Sequence, residues 1–291
     1  MHDEENKRYV RREARLAFER ILNESWSWAS VKKTLLLVVL VMPPTFAALY
    51  LLEVSGVFPD APPFSIDPGV LAVLFCVAVF VVCTGLFYWS FTSTRRKTIA
   101  AYRQALQQDS PAGVLAILEQ ENWKLFSDGD AIRAQATAIA YAMFGDTERA
   151  RETIASVDWA SRAPVIQALG LSARCLTTLL GEHDATAALR FARRASSLAE
   201  IKGYSPGAKE GAVAHATFVA VCEACDDSLS VEGLAQLEAS ARNQRQPLLQ
   251  AFAYYALAVQ LARDGESAAA LGAQAKLLEL APHAQGLKLW D

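Results

Sequence analysis

The chain has 291 residues, 53% of them hydrophobic, and its 28 Lys and Arg nearly balance its 31 Asp and Glu, for a net charge of −3 at pH 7. Nucleic acid is not an expected partner, because phosphate backbones are bound through an excess of basic side chains. The five cysteines do not suggest the disulfide framework of a small secreted domain.

Residues 1–33 are polar and of mixed charge. From Tyr9 to Leu22, apolar residues recur at helical spacing with arginines between them, which predicts an amphipathic helix. This helix would either rest on anionic headgroups or dock on the rest of the protein, and the pattern leaves both open. The long polar lead before the first apolar run argues against a secretory signal.

Two apolar runs follow, at 34–52 and 69–91, separated by a short loop at 53–68 that contains no Lys or Arg. As helices they would be roughly 28 Å and roughly 35 Å long, enough to cross a hydrocarbon core of about 30 Å. We therefore expect residues 34–92 to form a two-helix transmembrane hairpin.

The first run is interrupted near its midpoint by Pro43 and Pro44. Each proline removes a backbone donor and crowds the preceding turn, so a kinked span is expected. The alternative is a functional hinge or partner groove at mid-membrane, although prolines are common in membrane helices.

Basic residues lie at the two outer ends of the hairpin and are absent from the loop that joins its spans. Eight Lys and Arg precede the first span and four more follow the second within a dozen residues, whereas the loop carries only Glu53, Asp60 and Asp67. The positive-inside rule then places both termini in the cytoplasm of an integral membrane protein, in the inner membrane if the source is bacterial.

The remainder, 93–291, is rich in alanine and divided into helical segments, with Ser, Asp or Pro at many starts and Gly at several ends. The predicted helices are Thr98–Gln108, Pro111–Glu121, Asp130–Phe144, Thr147–Val157, Ala163–Leu180, Asp184–Ile201, Pro206–Cys225, Ser230–Arg242, Pro247–Arg263 and Glu266–Leu280. We expect an all-α cytoplasmic domain.

A helix, a glycine turn and a second helix recur within this domain. Ala140–Ala150 shows the unit around Gly145, and Tyr254–Pro282 repeats it more completely around Gly265. The unit at Gly181 is slipped by about two residues, and the one near Cys225 has no glycine. These residues resemble the tetratricopeptide repeat family. A related solenoid of helix pairs is the alternative.

The resemblance implies a TPR-like α-solenoid of antiparallel helix pairs, with a concave surface lined by the first helix of each pair, where proteins or peptides bind. The alternative for each candidate is ordinary inter-helix core, because large apolar residues usually lie inside. The residues placed on that surface are Ile132, Gln135, Ile139, Leu171, Cys175, Thr178, Phe252, Tyr255 and Val259. A second candidate surface on one helix comprises Arg190, Arg193 and Arg194, for which a solvated face is the simpler interpretation.

Chemical motifs are few, and we expect no enzyme, cofactor or metal site. Residues 203–207 match the nucleophile-elbow pattern, but here it joins two predicted helices instead of a strand and a helix. Cys222 and Cys225 have the spacing of half a zinc or redox site, with His215 upstream, yet a second ligand pair is missing. Buried core cysteines are the favoured interpretation.

The sequence thus predicts a membrane-anchored scaffold or adaptor that recruits a protein or peptide partner at the cytoplasmic membrane face. Tethering raises the local concentration of partners, so weak contacts suffice. The alternative is an accessory subunit of a membrane transport or export complex in which the hairpin is the working part. An ionisable residue within an apolar run would favour that alternative, and neither run contains one.

Overall fold

The computed structural model describes residues 96–120, 128–200 and 208–288, together with the single positions 85 and 93; of residues 208–210 it describes the backbone only. Contacts divide the chain into two units, one of which is Phe18–Arg96. Nearly everything described belongs to the other unit, from Lys97 onward.

The described part of the chain is helical and contains no strand. Its helices are α1 (96–106), α2 (Ala112–Gln120), α3 (Gly129–Met143), α4 (Thr147–Ala155), α5 (Pro164–Thr177), α6 (Ala185–Ala199), α7 (Ala208–Cys225), α8 (Val231–Arg242), α9 (Pro247–Arg263) and α10 (Ser267–Leu280). A π-helical turn, Thr178–Glu182, extends α5, and a 3-10 turn, Gln285–Leu287, follows α10.

The prediction of an all-α domain is confirmed, and each of the ten predicted helices is present with its ends displaced by at most about three residues. The predicted spans at 34–52 and 69–91, apart from the single position 85, and the N-terminal helix fall outside the described residues. Among the described helices, none combines the length and apolar character that a bilayer crossing requires.

Local signals in the sequence account for several helix starts. Pro164 and Pro247 occupy the first turns of α5 and α9, where a missing backbone N–H costs nothing. Asp184 Oδ1 accepts a hydrogen bond from the backbone N–H of Ala187 at 2.8 Å, and Ser230 Oγ accepts one from Gly233 at 3.0 Å. These side chains satisfy amides that the first helical turn leaves unpaired.

Each of the four turns within the pairs α3–α4, α5–α6, α7–α8 and α9–α10 contains one residue with positive φ. The residues are Gly145 (87°), His183 (57°), Asp227 (59°) and Gly265 (78°). The expected slip of about two residues at Gly181 is therefore correct, because the left-handed position belongs to His183. In the turn near Cys225, which has no glycine, the left-handed residue is Asp227.

The helices pack in sequence order, each against its pair partner and against a neighbouring pair. Helix α5 contacts α6, α3 and α4, while α7 contacts α6, α8 and α9. Salt bridges reinforce the junctions: Arg162, in the loop before α5, binds Asp128 at 2.8 Å and Asp130 at 2.6 Å at the start of α3.

Two contacts join parts of this unit that are distant in sequence. Arg103 Nη2 of α1 donates to the backbone oxygen of Gln244, between α8 and α9, at 3.1 Å. The 3-10 turn after α10 packs against α3, with Gly286 against the backbone oxygen of Ala142 and Leu287 buried. One apolar core consequently runs from α1 through to this turn.

Candidate functional site

The structure places the nine predicted surface residues in two environments. Five of them are buried, three with no exposed surface at all, as the inter-helix alternative implies; these are Ile139, Cys175, Thr178, Phe252 and Tyr255. Phe252, for example, contacts Phe218 of α7 edge to face at 5.8 Å between ring centroids. Ile132, Gln135, Leu171 and Val259 are partly exposed. A partner-binding role for the set stays a prediction.

One partly exposed member, Leu171, lines a cleft of about 290 Å³ between α5 and α6. We call it the α5–α6 cleft. Its apolar lining comes from side chains of both helices and of the loop before α5, and its polar lining is basic or neutral. The lining residues are Trp159, Ala160, Gln167, Gly170, Leu171, Arg174, Phe191, Arg194 and Leu198.

Trp159 is held in place at one end of this cleft. Its indole Nε1 donates to the backbone oxygen of Ile154 at 2.7 Å, and its ring lies directly against Gly170 of α5. A Cβ at position 170 would overlap the indole ring, so only glycine permits this approach. The aromatic wall is therefore preorganised.

Two arginines border the same cleft, and neither forms an ion pair with any residue that the structure describes. Arg174 and Arg194 are both exposed, and Arg190 lies one helical turn before Arg194 on the same face of α6. The third member of the predicted arginine surface, Arg193, instead binds Glu223 at 3.2 Å. The arginine set thus divides between two faces of α6.

Arg193 lines a second cleft, of about 420 Å³, with Ser196, Glu200 and His215. His215 is 6% exposed, and its Nδ1 lies 3.0 Å from Ser172 Oγ. Because that hydroxyl donates to the backbone oxygen of Ala168, His215 donates from Nδ1, which makes Nε2 the unprotonated nitrogen of the neutral ring. Burial lowers the pKa of His215 to about 4, so the ring is neutral at pH 7.

Ser172 and His215 are not arranged as a nucleophile and its base. The serine is 1% exposed, and its proton is already engaged by a backbone oxygen. In the described residues no carboxylate bonds to the imidazole, so nothing stabilises an imidazolium there. The pair satisfies buried polar groups between α5 and α7.

The cysteines of the helical domain, Cys175, Cys222 and Cys225, are buried free thiols. Cys175 Sγ and Cys222 Sγ lie 3.2 Å apart, and hydrogen bonding to Cys175 together with burial raises the pKa of Cys222 well above its usual range. Burial also raises the pKa of Cys225 to about 12. Thiols protonated at pH 7 and shielded from solvent are poor nucleophiles.

Across the described ranges, no three His, Cys, Asp or Glu side chains are grouped as metal ligands would be. The nucleophile-elbow match at 203–207 falls outside the described residues.

The sequence predicted Leu171 and Arg194 as members of two candidate surfaces, but it did not predict the cleft that they line together. Trp159 lies in a loop, and Gly170 lies inside a helix, where glycine is usually only tolerated. A glycine in the middle of a predicted helix was the one available sign of a close approach. What approaches it depends on how the loop before α5 folds back onto that helix.

No family model matches this chain, and neither the curated proteins nor the solved structures include one with significant similarity to it. The fold and the clefts above are therefore the basis for assigning a function.

Proposed function

We propose that this protein is a membrane-anchored adaptor whose cytoplasmic TPR-like array binds a protein partner. The hairpin at 34–92 holds it in the bilayer with both termini on the cytoplasmic side, and the α5–α6 cleft receives a segment of the partner. The membrane part of this proposal comes from the apolar runs and from the cations that flank them.

Antiparallel helix pairs support the repeat assignment. Their positive-φ turn residues recur every 38 to 44 residues, within the range of helical-pair repeats although longer than the roughly 34 of the tetratricopeptide type. Proteins built this way bind other proteins on the surfaces that their stacked helices expose.

The observation that carries the binding role is the preformed α5–α6 cleft. Its wall residue Trp159 is fixed by a hydrogen bond and by contact with Gly170, so little ordering is needed when a ligand enters. Concave, mostly apolar sites with a few polar groups at the edge are typical of ligand binding. The buried thiols, and Ser172, whose hydroxyl already donates to a backbone oxygen, provide no comparable site for a ligand.

Site-specific photocrosslinking of the full chain in intact membranes tests the proposal. A photoreactive residue at Leu171 should capture a discrete protein, whereas one at exposed Ala235 on α8 should not. If a probe at Leu74, in the second apolar run, captures proteins and Leu171 captures none, the hairpin is the working part and the adaptor function is wrong. Protease digestion of sealed vesicles separately tests the side on which the array lies.

A further inference from the structure

We propose that the occupant of the α5–α6 cleft is an acidic protein segment: an aromatic or large aliphatic side chain enters the cleft, and neighbouring carboxylates bind Arg174, Arg190 and Arg194. This rests on the proposed function, because it specifies the partner of the same site.

The arginines at this cleft differ from most others in the described array. Elsewhere, arginines bind carboxylates: Arg151 binds Glu182 at 2.9 Å, Arg162 binds Asp128 at 2.8 Å, and Arg242 binds Glu238 at 2.8 Å. Others bind backbone oxygens, as Arg103 and Arg263 do. Arg174, Arg190 and Arg194 have neither kind of partner among the described residues.

The cleft itself supplies no negative charge, since none of its lining residues is acidic. The guanidinium groups of Arg174 and Arg194 therefore produce a positive rim beside an apolar floor, and Arg190, one turn from Arg194, extends it along α6. A ligand that matches both must carry carboxylates beside an apolar group. Guanidinium pairs with carboxylate through two parallel hydrogen bonds, which adds geometric selectivity to the charge attraction.

The apolar floor favours a peptide over the other polyanions that meet proteins at a membrane. Phe191 and Leu171 are partly exposed and line the cleft together with Trp159. A concave apolar site of about 290 Å³ suits one or two side chains. An anionic lipid surface is flat, and its headgroups would engage the arginines without using this floor.

The test measures binding of two fluorescent peptides to the full chain in neutral-lipid nanodiscs. One has the sequence Asp-Glu-Phe-Leu-Asp-Glu flanked by Gly-Ser, and the other replaces every acid by its amide. We expect the acidic peptide to bind and the amide peptide to bind at least tenfold more weakly. Raising the salt concentration should weaken the acidic peptide selectively.

Matched substitutions locate the effect. Arg174→Gln and Arg194→Gln should each weaken the acidic peptide about fivefold, as charge pairs at an interface rim do. Arg245→Gln, at an exposed arginine outside the cleft, should change nothing. Phe191→Ala should weaken both peptides alike, since it removes apolar floor. Circular dichroism checks that each variant is folded.

Three results would overturn this inference. Equal binding of the two peptides removes the acidic preference, and so does binding that is insensitive to Arg174→Gln and Arg194→Gln. If anionic vesicles bind in an arginine-dependent way while the acidic peptide does not, the rim recognises lipid. In each case, a protein captured from Leu171 would still uphold the proposed function, whereas loss of that capture as well would remove both.

Discussion

The four turn residues with positive φ show how one backbone requirement is met by different side chains. Gly145 and Gly265 adopt it without strain, because glycine has no Cβ to collide with the neighbouring carbonyl. His183 and Asp227 adopt the same conformation at a cost. The four helix pairs therefore share a turn geometry that is not visible as a glycine pattern in the sequence.

Opposite substitutions at two of these turns should shift stability in opposite directions. Asp227→Gly should raise the free energy of unfolding by about 0.5–1 kcal/mol, since it relieves a left-handed L-residue. Gly265→Ala should lower it by about 1 kcal/mol through backbone strain alone, because a Cβ there has no atom within 4 Å. Urea titration of the two variants measures both shifts, and a common sign would contradict the turn assignment.

His215 gives a second prediction at the residue scale. Burial lowers its pKa to about 4 in the folded protein, from an ordinary value of about 6.5, so below pH 6.5 the unfolded chain binds more protons. Stability is therefore complete above about pH 6.5 and falls as the pH approaches 4, by about 2 kcal/mol at pH 5.

Denaturant titrations at pH 7 and pH 5 measure this loss. In His215→Asn, the amide keeps a donor for Ser172 Oγ but does not titrate, so the difference between the two pH values should shrink by about that amount. An unchanged difference would show that other groups cause the acid sensitivity.

Among the elements, the C-terminal end of helix α7 forms polar contacts with three neighbouring helices. Arg263 of α9 donates to the backbone oxygens of Ala224 and Cys225, the last residues of α7. The carboxylate of Glu223, the residue before Ala224, accepts from Ser230 Oγ at 3.0 Å and from Arg193 at 3.2 Å. One helix end thus receives contacts from α6, α8 and α9, because its last carbonyls lack partners within the helix.

Substitution of Arg263 tests how much the C-terminal end of α7 contributes to stability through these hydrogen bonds. Arg263→Met should lower the free energy of unfolding by about 1–2 kcal/mol, because it leaves two helix-end carbonyls without their charged donor. Arg263→Lys should recover part of the loss. Arg245→Met, at an exposed arginine outside such a contact, is the control in the same thermal melts. Equal effects at the two positions would contradict a capping role.

At the scale of the whole helical unit, the array is more connected than a linear solenoid, in which each repeat contacts only its neighbours. The turn Gln285–Leu287 contacts α3, and Arg103 of α1 reaches Gln244. We expect such contacts to make distant helix pairs depend on one another for stability. The burial of Ile139, Cys175, Phe252 and Tyr255 belongs to the same continuous core.

Leu287→Ala tests that dependence. The side chain is 2% exposed, so its truncation should cost about 2–4 kcal/mol and reduce hydrogen-exchange protection in α3, more than 140 residues away in sequence. Leu278→Ala, at a leucine that is 47% exposed on α10, should leave α3 protected. Loss of protection confined to the residues around the substitution would show that the turn is only an appended cap.

The amino-acid sequence by itself determined the helices, because their signals are local. Periodic apolar residues, Pro164 and Pro247 at helix starts, and the Asp184 and Ser230 caps act within one or two turns of the chain. It also supplied the two apolar runs and their flanking charges, from which the membrane proposal follows.

Only the tertiary structure decided which apolar residues are core and which line a cleft. Periodicity marks a face of a helix as apolar but does not say whether another helix covers it, so Cys175 and Leu171 on α5 looked alike in the sequence. Trp159 against Gly170, and Ser172 against His215, are likewise contacts between separate elements. Their formation depends on how helices pack, which the local chain does not encode.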